Sequence, residues 1–247
     1  MSPLLLAIIG AVLIVAGWLM EKSRQRALKK LDAMMIVTSY AADLKDLMVG
    51  GPVEVKGTVR CEPPLISPFT RTPCVWYSAA LYERIVEWER DKDGNQHRHE
   101  REYVRERKEE LATFAVEDRT GRVLVDAQDA EIDGDTLLDD ITTDQDEHWN
   151  RGIGVELWPS EDTLGFRYVE QAIPLGASLY VLGALRADGS IGAPEIPDEL
   201  HFIVSTRSEQ EQEKSLVSQS RWMKVGWLLI PAGGIALVAS LVWYLLG

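Results

Sequence analysis

Polar and apolar positions divide this chain into three stretches of different rhythm. Residues 1–20 and 225–247 carry no ionisable side chain, and about 20 apolar residues suffice for a helix to cross a bilayer. Residues 23–49 place Tyr40, Leu44, Leu47 and Met48 at one-face helical spacing, with Gly50-Gly51-Pro52 as a stop. From Val53 the period falls to two, with Val53, Val55, Gly57 and Val59 alternating against Glu54, Lys56, Thr58 and Arg60, which predicts a strand with one wet face. Four prolines in residues 61–73 forbid regular pairing and predict an ordered loop or edge. Residues 75–90 and 98–110 are predicted as a long hairpin around Asp93-Gly94-Asn95, and residues 113–116 and 122–126 as a shorter one around Glu117-Asp118-Arg119-Thr120-Gly121. Residues 154–158, 166–172, 179–186 and 201–205 read as further short strands.

The pattern predicts a membrane protein of α+β class, with two transmembrane helices flanking a β-rich, sandwich- or barrel-like domain. The expected boundaries are a transmembrane helix at 1–20, a juxtamembrane stalk helix at 21–51, the β-rich domain at 52–210, a juxtamembrane segment at 211–224 and a second transmembrane helix at 225–247. A cleaved signal peptide would carry a positive segment before its apolar run, whereas Lys22, Arg24, Arg26, Lys29 and Lys30 follow it here. Pro231, Gly233 and Gly234 inside the second run are tolerated in lipid, where neighbouring groups take up freed backbone polar atoms.

Charge sharpens this picture. Between residues 33 and 220 acids outnumber bases 37 to 19, which argues against nucleic-acid binding, a property that needs a clustered basic face. The basic residues beside both apolar runs, including Arg221 and Lys224, lie on the side of the central domain. The positive-inside rule therefore places that domain in the cytoplasm of a prokaryotic cell, where Cys61 and Cys74 would stay reduced. The lipid bilayer and a protein are the expected partners, no cofactor is expected, and the sequence carries no sign of oligomeric state.

One ordered set of motifs adds a family. Pro64-Leu65-Ile66-Ser67-Pro68, then Pro73-Cys74-Val75-Trp76-Tyr77, the Glu117–Gly121 turn, and Glu170 followed by Gly176, Tyr180 and Gly183 resemble the GIDE domain. This beside-a-membrane (BAM) domain occurs in the Mulan/MAPL mitochondrial E3 ubiquitin ligases and in prokaryotic relatives, and the resemblance covers the layout of the whole chain. It implies a membrane-tethered β-rich module with a regulatory or protein-interaction role, and binding residues at Pro64, Leu65, Ser67, Pro68, Cys74, Asp118, Gly121 and Glu170. It also implies the opposite side of the membrane, because the mitochondrial domain faces a compartment equivalent to the periplasm. The ligases carry a RING finger, which needs eight Cys/His zinc ligands; these 247 residues hold six, none in a CxxC pair. Ubiquitin ligation is therefore disfavoured.

Other candidate chemistry is sparse. Asp129, Glu131, Asp133, Asp135 and Asp140 fall at calcium-loop spacing, but a solvated acidic loop in the surface segment 131–147 is the reading adopted, and a metal-binding sensor the alternative. His97 and His99 share a strand face near a hairpin tip and read as exposed. Cys74 reads as a small buried hydrophobe, and Glu170, among apolar strand residues, as a hydrogen-bonded structural carboxylate. No catalytic residue is assigned: no GxSxG, P-loop, HExxH or GxGxxG motif occurs.

Overall fold

A computed structural model describes residues 3–33, 38–142, 160, 162–194, 201–207 and 226–246. The chain divides into a helical unit (residues 1–36 and 208–247) and a β-rich unit (37–207). The strand prediction for residues 154–158 lies outside the described residues.

The helical unit holds α1 (Pro3–Ala33) and α2 (Gly226–Leu246). One helix among the described residues is long and apolar enough to cross a membrane, over Leu4–Gln25; the apolar part of α2 is shorter, Leu228–Trp243. Leu4, Val12 and Val15 of α1 and Leu228, Ile235 and Val238 of α2 are exposed, leaving apolar surface that water would penalise. The two helices meet through glycine. A β-carbon built on Gly10 would stand 2.8 Å from the Gly233 carbonyl oxygen, and one on Gly233 would stand 2.6 Å from that of Gly10. Only two bare backbones approach so closely, which is how helices pack in lipid, where close fit replaces the hydrophobic effect.

In the β-rich unit the alternation read from Val53 produces β1 (Pro52–Arg60), with Val53, Val55 and Val59 buried on one side. A proline-rich loop containing β2 (Leu65–Ile66) leads to the long hairpin of β3 (Pro73–Arg90) and β4 (Gln96–Leu111), then the short hairpin of β5 (Phe114–Glu117) and β6 (Arg122–Val125). The strands β7 (Glu131–Asp133), β8 (Asp135–Thr142), β9 (Thr163–Pro174), β10 (Ser178–Leu185), β11 (Ile191–Gly192) and β12 (Ile203–Ser205) complete the unit.

Among the described residues twelve strands form two sheets. In the first, the order is β1-β5-β6-β11-β10-β12-β7, and β1 also pairs with β10, so β1, β5, β6, β11 and β10 close into a small barrel. Val55, Phe114, Val116, Val125, Val181 and Ile191 fill it. Gly57 is needed where β1 crosses β5, since a β-carbon there would sit 2.4 Å from the Glu117 carbonyl oxygen. The second sheet runs β2-β3-β9-β8, with β4 along β3. Its own apolar cluster centres on Tyr77, Phe69, Phe166 and Tyr168.

Two expectations are corrected. The helix predicted to continue to residue 49 is described over Pro3–Ala33, and residues 38–49 are turns with one short 3-10 segment at Leu44–Asp46. Their apolar residues share no helix face, because Leu44 is buried in the barrel core while Met48 lies in solvent. The acidic run at 131–142 is not a loop but β7 and β8, held by parallel pairing to β12 and antiparallel pairing to β9. Backbone ladders form there because the acids sit mainly on the exposed positions.

Candidate functional site

Six of the motif residues, Pro64, Leu65, Ser67, Pro68, Cys74 and Glu170, lie at one loop. Residues 66–73 connect β2 to β3, and Ser67 and Phe69 in it are buried. Beneath them lies Glu170 of β9, with no solvent exposure at all. Its Oε2 accepts the Phe69 N–H at 2.6 Å, and its Oε1 accepts the Thr70 N–H at 3.1 Å and the Thr70 hydroxyl at 2.5 Å. Three donors aimed at one carboxylate are what makes burial of that charge affordable. The loop is cross-braced from within: the Thr72 N–H donates to Ser67 Oγ at 3.0 Å, and the Ser67 N–H to the Thr72 carbonyl at 3.0 Å. The Phe69 ring stands edge-on to Tyr168, 5.3 Å between centroids.

This clamp ends in an exposed arginine. Arg71 adopts φ 59°, the left-handed region that a β-carbon disfavours, and it is the one non-glycine among the described residues to do so. It makes no ion pair or side-chain hydrogen bond among the described residues. Cys74 is the second residue of β3; burial pushes its thiol up to about 11, and the Glu170 charge adds to the effect. That environment makes it inert as a nucleophile at neutral pH.

Asp118 and Gly121 serve a second fastening. Asp118 Oδ1 accepts the Thr120 N–H and hydroxyl and the Gly121 N–H at 2.7, 2.6 and 3.0 Å, closing the β5–β6 turn. Its Oδ2 accepts the Ala41 N–H at 2.8 Å, tying down the segment that precedes β1. Burial raises the Asp118 carboxyl, but the Thr120 hydroxyl and the three N–H donors outweigh it and hold the group below its ordinary range. Arg119 stacks on Tyr40 of the same segment, 4.4 Å from the ring centre. Pro64 and Leu65 are half-buried at the start of the proline-rich loop, and Pro68 is buried in it.

The structure also shows groups that the sequence did not flag. Glu54, expected on a wet face, is fully buried; it accepts from the Thr38 hydroxyl at 2.5 Å and the Tyr180 hydroxyl at 3.3 Å, with Lys56 Nζ 3.1 Å away. Nothing local signals this, because its partners come from 16 residues before it and from β10. A cleft of about 380 Å³ opens at one end of the barrel between Arg60, Cys61, Phe114, Arg122 and Leu124. Glu117 bridges its two arginines at 2.5 and 2.7 Å. Cys61 in that cleft has its thiol raised by burial and by Glu62.

The metal alternatives fare differently from the loop. Asp129 precedes β7, Glu131 and Asp133 lie on it in the first sheet, and Asp135 and Asp140 lie on β8 in the second, so no common loop gathers them. His97 and His99 are exposed and meet Asp91 and Glu89 at 3.0 and 3.7 Å. Among the described residues no group of three or more His, Cys, Asp or Glu side chains converges as a metal would need.

Comparison with known proteins adds one match. The family model GIDE, described as E3 ubiquitin ligase, matches residues 83–239, more than half of the sequence. The chain belongs to the GIDE family. No curated protein and no solved structure matches it. The GIDE match starts within β3 and runs into α2, so it takes in Asp118, Gly121 and Glu170 but not the loop that Glu170 clamps.

Proposed function

We propose that this GIDE protein is a two-span membrane protein whose β-rich domain is a non-catalytic interaction module. The observation that carries this reading is where the motif residues spend their chemistry. Glu170, Ser67, Asp118 and Gly121 are all consumed in fixing loops, and the group left over is Arg71, which has no ion pair or side-chain hydrogen bond among the described residues, at the tip of the Glu170-clamped loop. A preorganised loop with an unpaired guanidinium suits recognition of a carboxylate-bearing protein segment, since little ordering remains to oppose binding. Pro64, Leu65 and Pro68 shape the flank of that contact. The reciprocal Gly10–Gly233 approach supports a helical hairpin that spans twice, and the basic residues flanking both helices favour a cytoplasmic domain.

The competing reading is ubiquitin ligation, favoured by the family's description. A transfer assay with this chain as the sole ligase should give no ubiquitin conjugates; conjugates above the enzyme-free background would overturn the non-catalytic reading. For sidedness, a reporter fused after residue 110 should be active in the cytoplasm. Periplasmic activity of that fusion would reverse the orientation.

A further inference from the structure

The edge strand β4 carries a charge pattern that its own chain satisfies only in part: Arg98, Glu100 and Arg101 have ion partners within the chain and Glu109 accepts the Trp76 indole N–H, whereas Glu106 and Arg107 meet no opposite charge among the described residues. It is 16 residues long, pairs on one side with β3, and has no strand on its other side among the described residues. Ten consecutive residues, Gln96 to Arg105, are exposed on both faces. Proteins commonly blunt such edges with charge, and a strand of one sign would do so. Here the signs are mixed, and they are ordered.

The order depends on a bulge. Leu81 of β3 lies opposite Glu106 while Tyr82 lies opposite Val104, so Arg105 is an extra residue and the face alternation of β4 inverts there. Residues 97, 99, 101 and 103 consequently share a face with 106, 108 and 110, and residues 98, 100, 102 and 104 share the other with 107, 109 and 111. Antiparallel pairing of two such strands about a two-fold axis at Tyr103 keeps every face matched. It sets Arg98 against Glu109, Glu100 against Arg107, and Arg101 against Glu106 of the second copy, and each pair recurs by symmetry. Tyr103 meets its own counterpart, beside Val104. Sliding the strands by two residues in one direction opposes Glu100 to Glu109 and Arg101 to Lys108. Sliding them the other way opposes Arg98 to Arg107. One register alone is complementary.

Two side chains that lack a charged partner fit the same register, as does the exposed centre of the strand, where the Tyr103 hydroxyl donates to Glu87. Glu106 is half-buried and meets no cation among the described residues. Among the described residues Arg107 reaches the Tyr82 hydroxyl, at 3.3 Å, and no carboxylate. Tyr103 and Val104, 41% and 53% exposed, put apolar surface at the centre of the strand. We propose that β4 pairs antiparallel with β4 of a second copy, joining the two second sheets into one continuous sheet. This inference does not rest on the loop reading above.

The test is disulfide capture of the full-length chain in detergent micelles, in a Cys61→Ser background that leaves the buried Cys74 in place. Residues facing each other across an antiparallel pair lie about 4.5–5.5 Å apart at Cα, within disulfide reach. Under mild oxidation, Tyr103→Cys should give at least fivefold more covalent dimer than Ile141→Cys, an equally exposed site on the opposite edge strand β8. Adding Glu106→Arg, or separately Arg101→Glu, should lower the Tyr103→Cys yield at least fivefold, since each opposes like charges. Mixing those two variants should restore it, because in the mixed pair both contacts become Arg against Glu. Equal yields from Tyr103→Cys and Ile141→Cys would overturn the proposal. So would failure of the mixture to recover yield.

Discussion

Removing the Glu170 carboxylate should loosen the domain by a calculable amount. The side chain is fully buried and accepts three hydrogen bonds, two from backbone N–H groups of the loop and one from the Thr70 hydroxyl. A hydrogen bond to a charged group contributes about 1.5–3 kcal/mol, and the three donors share one acceptor, so their losses do not add in full. Glu170→Ala, which orphans the Phe69 and Thr70 N–H groups and leaves a cavity, should cost about 3–5 kcal/mol. Thr70→Val deletes one of the three contacts, together with the hydroxyl's contacts to Ser67 and Thr72, and should cost about 1.5–3 kcal/mol. For a domain of this size each kcal/mol lowers the midpoint by about 2–4 °C. Glu170→Ala should therefore melt at least about 6 °C below wild type in circular dichroism of the β signal. Amide exchange at Phe69 and Thr70 should accelerate while that of the barrel strands holds below the melt. A drop under about 2 °C, with exchange at those two amides unchanged, would refute the clamp.

Further expectations follow from the other sites. Maleimide at pH 8 should modify Cys61 and spare Cys74, whose thiol burial holds near 11; comparable rates in the folded protein would contradict this. Folding holds the Asp118 carboxyl below its usual range, so its stabilisation is complete above about pH 4 and is lost as pH falls through the lower folded value. The melting gap between wild type and Asp118→Asn should thus be flat from pH 5 to 7 and close in stronger acid; a gap that widened below pH 4 would reverse the assignment. Gly233→Leu should separate the helices, costing about 1–3 kcal/mol in a detergent-unfolding titration. An unchanged titration would remove the glycine contact from the account.

What could be read in advance was whatever depends on neighbours in sequence. The β3–β4 hairpin was legible because Asp93-Gly94-Asn95 separates two runs of strand-forming residues, and the β5–β6 turn because Asp118 and Gly121 lie three residues apart. Barrel closure was not, because β1 and β10 are more than a hundred residues apart and nothing local in either strand names the other as its partner. The burial of Glu54 followed from that same hidden pairing, which brings Tyr180 over it. Glu170 was recognisable as a structural carboxylate from its apolar setting, yet its partners Phe69 and Thr70 lie about a hundred positions earlier. The acidic run misled because composition outweighed the isolated Ile132, Leu137 and Leu138, which supply the apolar contacts to both cores.

The passage from β7 to β8 takes one residue, Gly134, and consecutive strands there belong to different sheets. A methyl group at that position would lie 2.6 Å from the Ala172 carbonyl oxygen and 2.8 Å from the Trp76 ring. The seam between barrel and open sheet accordingly has no slack. A load that peels β8 from β9 is passed at once to β7 and its partner β12, so the two sheets are geared together and a tug on one rim is felt at the other.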